Sequence, residues 1–138
     1  MIKKINGERD AFILSTENTS YVLAITPSGH AEHIHYGAKL DLDNLYELEA
    51  ITQKREFEIG NGIRYSDDYP TLFLEDICLE MSGFGHGDIR EPFIESVRPN
   101  GSRSVDFLYK GYEITENKPE LTDLPSSYSK DGKVEHLG

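Results

Sequence analysis

The chain has 138 residues, far fewer than the roughly 250 of a (β/α)₈ barrel, so it holds one domain or part of one. Twenty-five acidic residues against fourteen basic ones give a net charge of −11, which repels phosphate and anionic lipid and argues against nucleic-acid and membrane partners. Eight tyrosines and six phenylalanines supply a core, Trp is absent, and a single cysteine excludes an internal disulfide or a Cys-rich zinc module.

Taken in chain order, Met1–Glu8 carries two lysines but no apolar run follows, so no secretory signal is read and the cytoplasm is the expected compartment. The dominant hydrophobic period is two. Ser20–Thr26 reads as a strand, Pro27-Ser28-Gly29 stops it, and His30–Tyr36 resumes it, which predicts a hairpin. Asp43–Ala50 predicts one or two helical turns, with Asp43 as cap and Leu45 and Leu48 on one side. Leu74–Cys78–Glu80 alternates and places Cys78 in the core as an unreactive thiol. Phe93–Arg98 and Arg103–Tyr109 flank Asn100-Gly101, a strong hairpin signal because both residues tolerate φ > 0. Tyr112–Thr115 is a further short strand. Lys130–Lys133 reads as a turn, and Val134–Leu137 begins a strand as a chain cut inside a larger sheet would. The class is mostly β, an antiparallel β-sandwich with at most a short helix.

Three constellations invite chemical readings. The glycines of Gly83-Phe84-Gly85-His86-Gly87-Asp88-Ile89-Arg90 resemble a phosphate cradle, but Asp88 puts negative charge where phosphate would sit and a Pro-containing extended run follows instead of a helix. A tight strand connection, with Asp88 and Arg90 pairing to pin it, fits better. His33 and His35 alternate on one face with His30 nearby, the opening of a cupin-type metal motif, yet Lys39-Leu40 occupy the place of its glutamate. No metal site and no cofactor is therefore assigned. Asp67-Asp68, Glu75-Asp76 and Glu80 could act in pairs only across a shared cleft, which nothing in the sequence provides, and no Ser-His-Asp signature is visible.

Glu80-Met81-Ser82-Gly83-Phe84-Gly85-His86-Gly87-Asp88-Ile89-Arg90-Glu91-Pro92 resembles the signature of the N-terminal domain of glycoside hydrolase family 36 α-galactosidases. The likeness extends to Asn18–Tyr21 with Gly29, His33 and Tyr36-Gly37, to Asn100-Gly101-Ser102 with Asp106–Tyr109, and to Lys118–Leu121 with Leu124–Tyr128. The resemblance implies that residues 1–138 form a single domain, the first part of a galactose-mutarotase-like β-supersandwich. In such a parent both catalytic aspartates lie on a barrel, so no catalytic residue is expected here and the isolated chain should be inactive.

The same resemblance implies a retaining enzyme that releases terminal α-galactose from melibiose- and raffinose-type sugars, bound mainly by the barrel. Its partners would be that barrel and further copies of itself, commonly as a tetramer. Asn61, Arg64, Tyr65 and Asp67, in a loop mixing glycine, arginine, aromatics and acids, are the candidates for the rim of a neighbouring subunit's sugar pocket. Gly85, Gly87, Asp88, Arg90 and Pro92 are expected to be a structural motif. The alternative is an independent small sugar-binding or cupin-like metal-binding β module.

Overall fold

The computed structural model describes residues 1–52, 63–88, 90–119, 122–123, 125 and 134–138. Four strands, β1 (Ile2–Lys4), β2 (Ala11–Ser15), β3 (Thr19–Ile25) and β4 (Ala31–Ala38), form an antiparallel meander in chain order. The hairpin read at 20–36 is its β3–β4 pair; β1 and β2 went unread in the sequence. β2 is the most apolar of the four, and its first three residues are buried. Register places Ala11, Ile13, Ser20, Val22 and Ala24 on one face, and Phe12, Leu14, Tyr21 and Leu23 on the other.

The first face carries the core. Ile13, Val22, Ala24, Ile5 and Leu42 pack with Leu48, which comes from helix α1 (Leu45–Ile51). The cap is Asn44 rather than Asp43: Asn44 Oδ1 accepts the Glu47 N–H at 3.1 Å. Glu47 reaches back to the Asp43 N–H at 2.7 Å, so the carboxylate three residues into the helix satisfies a second amide at its start. Leu48 is fully buried and Leu45 partly so, on the side read from the sequence.

A bulge in β4 decides the fate of the histidines. Val22 pairs with His35, but Leu23 pairs with His33, leaving Ile34 as an extra residue. Residues directly opposite share a face, so His35 lies on the face of Val22 and His33 on that of Leu23. The two imidazoles expected side by side are on opposite faces. His35 Nε2 meets the Ala38 carbonyl at 3.1 Å, whereas the His33 ring leans on Tyr21, tilted by 54° with centroids 4.8 Å apart.

The second face is covered by later segments. Residues 78–80 run along the edge of β4, where the Cys78 carbonyl accepts the His33 N–H at 2.7 Å and the Glu80 N–H donates to Ala31 O at 2.9 Å. This edge position exposes Cys78, against the expectation of a core thiol. The alternation that suggested burial is broken by a 3-10 turn at Leu74–Asp76, and Phe73 and Leu74 enter the interior instead. Tyr112 sets its ring edge-on to Phe12 at 4.8 Å.

Two small pairings complete the architecture: β5 (Gly83–Phe84) with β6 (Gly87–Asp88), and β7 (Ile114–Thr115) with β8 (His136–Leu137). The strands expected at 112–115 and 134–137 thus pair with each other. The expected 93–109 hairpin differs. Its turn forms, with Gly101 at φ +82° and the Arg98 N–H donating to Ser102 O at 2.9 Å, but its arms build no ladder among the described residues. Other segments take the arm amides: Ile94 N–H donates to Ser82 O at 3.2 Å and Tyr109 N–H to Gly29 O at 2.7 Å. The Lys130–Lys133 turn lies outside the described residues.

Candidate functional site

The polar groups that sequence pattern left scattered converge around the β3–β4 turn. That turn closes through Thr26 N–H to His30 O at 2.8 Å, with Gly29 at φ +89°. It drives His30 inward until the residue is 2% exposed. Burial of an imidazole requires partners for both nitrogens, and both are present: Ser28 Oγ lies 2.8 Å from Nδ1 and Asp106 Oδ1 lies 2.9 Å from Nε2. With Nε2–H donating to the carboxylate, Nδ1 accepts the Ser28 hydroxyl, which also lies 2.9 Å from Thr26 Oγ1.

The loop singled out for sugar recognition packs against this row. Tyr65 donates its hydroxyl to Asp106 Oδ2 at 2.8 Å and presents its ring edge-on to His30, centroids 4.7 Å apart. Tyr69 donates to the Pro27 carbonyl at 2.9 Å. Arg64 and Asp67 point outward, 54% and 89% exposed, and pair with each other at 2.7 Å. Of the four rim candidates, Arg64 and Asp67 present polar groups to solvent, the Tyr65 hydroxyl is spent internally, and Asn61 lies outside the described residues.

Electrostatics follow from these contacts. Burial alone would raise the Asp106 carboxyl, but hydrogen bonds from Tyr65 and His30, with the charge of His86 nearby, outweigh it and hold the group below its ordinary value. Burial, and then the bond to Asp106, push the Tyr65 hydroxyl up to about 12. The Ser28–His30–Asp106 row has the composition of a hydrolytic triad without its accessibility. Both imidazole nitrogens are occupied and the ring is sealed in, leaving no position from which it could pass a proton to a substrate. Its chemistry is that of a bridge. No local spacing could have revealed it, since Asp106 lies 76 residues beyond His30.

A cleft of about 90 Å³ separates Ile63–Tyr65 from Gly85–His86, with Leu74 and Glu75 completing its lining. It brings the candidate loop against the glycine motif, yet it holds only about three waters' worth of space and cannot enclose a sugar ring. A wider, open groove of about 430 Å³ lies elsewhere, lined by Met1, Lys3, Ile13, Ser15, Lys39, Leu40 and Asp41. Within the motif, Gly85 and Gly87 have φ of +76° and +94°. Asp88 Oδ1 accepts the N–H groups of Arg90 at 2.6 Å and Glu91 at 3.1 Å. Arg90 is exposed and Pro92 half-buried.

Paired carboxylates are not gathered into a cleft by these contacts: Glu80 accepts the Tyr21 hydroxyl at 2.5 and 2.6 Å, and Asp67 is committed to Arg64. His33 Nδ1 lies 3.3 Å from Glu80 Oε1, within ion-pair reach but not aligned for a hydrogen bond. Among the described residues no group of three His, Cys, Asp or Glu side chains is placed to hold a metal ion. Among them, too, no helix is long and apolar enough to cross a membrane.

The sequence model of the glycosyl hydrolase family 36 N-terminal domain matches residues 29–138. The chain belongs to that family. A bifunctional alpha-galactosidase/sucrose kinase, AgaSK, from Mediterraneibacter gnavus is 30% identical over 132 residues, covering 96% of this chain and 14% of the relative. Alpha-galactosidase Mel36A of Lactobacillus acidophilus is 29% identical over 128 residues, 93% of this chain and 17% of its own length. The crystal structure of the alpha-galactosidase from Lactobacillus brevis superposes with a TM-score of 0.79 at 27% identity, over 96% of this chain and 18% of that one. This family 36 N-terminal domain chain thus spans only about a sixth of the length of these relatives, and its mostly antiparallel β fold superposes on the matched part of the Lactobacillus brevis enzyme.

Proposed function

We propose that residues 1–138 act as one unit, the non-catalytic N-terminal β-sandwich region of an α-galactosidase that releases terminal α-galactose from melibiose- and raffinose-type sugars. The observation that carries this reading is that nearly the whole chain aligns with proteins named as α-galactosidases. Its work is packing against a catalytic barrel and assembly of a homo-oligomer, a tetramer in the full enzyme. Phe93, Val97, Leu108, Tyr112 and Ile114 are exposed apolar side chains within one short stretch, a density that favours a covered surface. Asn61, Arg64, Tyr65 and Asp67 belong to the rim of a neighbouring sugar pocket, the exposed Arg64 and Asp67 offering their polar groups to it. Gly85, Gly87, Asp88, Arg90 and Pro92 hold the fold. The alternative of a metal-binding module is weakened by the bulge that separates His33 from His35.

The test is direct. Purified chain should show no hydrolysis of p-nitrophenyl-α-galactoside above blank, and turnover by the chain alone would sink the non-catalytic reading. In a full-length enzyme carrying this segment, Arg64→Ala should lower kcat/KM for raffinose about tenfold, as expected for loss of a charged hydrogen bond to substrate. An unchanged value would remove Arg64 from the rim.

A further inference from the structure

Loop 63–70 owes its position to groups that lie outside it. Among the described residues its own backbone supplies only short-range ties, Tyr65 N–H to Leu72 O at 2.8 Å, Tyr69 N–H to Ser66 O at 3.3 Å and Leu72 N–H to Tyr69 O at 3.1 Å. What fixes it to the body of the molecule are two tyrosine hydroxyls, Tyr69 on the Pro27 carbonyl and Tyr65 on Asp106. Asp106 is in turn immobilised by His30, which is locked by Ser28 within the β3–β4 turn. Three segments far apart in sequence therefore meet at one carboxylate.

We propose that Asp106 and His30 are positioning residues, a latch that clamps loop 63–70 through Tyr65 and so sets the direction in which the exposed Arg64–Asp67 pair points. The consequence for sugar recognition rests on the rim reading above; the clamp itself does not. Arg64 directly precedes the latched tyrosine and Asp67 follows it by two residues, so a loop released at Tyr65 carries both with it.

The groups facing the carboxylate are Tyr65 from the loop, His30 from the turn and His86 from the glycine motif, with Tyr69 beside Tyr65. A carboxyl held below its ordinary value keeps its bonds above that value and loses them only as pH falls through the lowered one. A tyrosine raised to about 12 keeps its proton, and its donated bond, until pH rises to that point. The latch is closed at every pH between, which makes it a positioning device and not a physiological switch.

Limited tryptic digestion of the chain at pH 8 reads the latch, because Arg64 is itself an exposed cleavage site. Lys39, exposed just past β4 and followed by Leu40, lies away from the latch and serves as internal reference. Tyr65→Phe keeps the ring against His30 and removes only the hydroxyl; Asp106→Asn removes the charge. Each should raise the rate of cleavage after Arg64 relative to Lys39 by about tenfold, the effect of losing one charge-assisted hydrogen bond from a locally opening segment, while the Tm of Tyr65→Phe changes little. Unchanged cleavage after Arg64 in both variants would overturn the latch. So would equal acceleration at Arg64 and Lys39 in Tyr65→Phe, which would mean global loosening. An unchanged kcat/KM in Arg64→Ala, with the cleavage result obtained, would remove the rim reading and leave the latch standing.

Discussion

Asp88 acts through the backbone of the residues that follow it. Its carboxylate takes the amides of Arg90 and Glu91, a side-chain-closed turn that ends the glycine motif where a run of free N–H groups would otherwise remain. The pairing expected from the sequence was between the Asp88 and Arg90 side chains; the amide bonds supply the pinning from Arg90's main chain. Gly87 is required by its φ of +94°; a Cβ there would also press on Leu79 Cδ1, the far end of a side chain that can move aside. At Gly83 a Cβ would meet the Val105 carbonyl oxygen at 2.1 Å, and a backbone oxygen cannot swing aside. Asp88→Ala should therefore cost about 1–2 kcal/mol of stability and Gly87→Ala about 1–3 kcal/mol, read from denaturant midpoints. If Asp88→Ala left the midpoint in place yet changed kcat/KM in a longer enzyme, the motif would belong to a binding site.

Helix α1 illustrates how an element too short to hold itself is stabilised from outside. Seven residues make a helix that is marginal alone, so its existence depends on Asn44 at its start and Leu48 on its buried side. Asn44→Ala should cost about 1 kcal/mol, whereas Leu48→Ala, which opens a cavity at a fully buried position, should cost about 2–5 kcal/mol. Equal small losses would mean that the helix merely decorates the sheet. The apolar spacing of Leu45 and Leu48 made this element legible, and Asp43 was misplaced by a single residue because two adjacent side chains are both competent caps. The β3–β4 hairpin was legible from its turn residues. The bulge at Ile34 was not, since nothing local distinguishes a strand of even period from one with a residue inserted, and that one residue redistributed the histidines. Arg64 and Tyr65 stood out by composition, but the His30–Asp106 contact that organises them spans a distance no local pattern encodes.

At the scale of the whole molecule, carboxylates tie the segment 103–112 to the sheet. Asp106 binds His30 and Tyr65; Asp10 ion-pairs with Lys4 and accepts the Tyr109 hydroxyl at 2.7 Å. Lys4 also lies over the Tyr112 ring, 4.9 Å from its centroid, so apolar and ionic contacts fasten the same strip. The bond from Lys4, then that from Tyr109, holds the Asp10 carboxyl below its ordinary value, and Asp106 is depressed as well. Each depressed carboxylate stabilises the fold fully above the unfolded value near 4, and that stabilisation is lost as pH falls through the lower folded value. Tyr109 is pushed up by burial and then by Asp10, as Tyr65 is by burial and Asp106, so their contribution is complete below about 10 and fades only at strongly alkaline pH. Thermal unfolding of the chain should accordingly show a plateau in Tm across neutral pH from these groups and a fall below about pH 4. Asp10→Asn and Asp106→Asn should each lower the plateau and flatten the acid limb, because each removes one carboxyl that takes up a proton on acid unfolding. Acid limbs parallel to the wild type in both variants would show that the segment is held by its apolar contacts, Tyr112 on Phe12 foremost, and that the two carboxylates only decorate a surface packed without them.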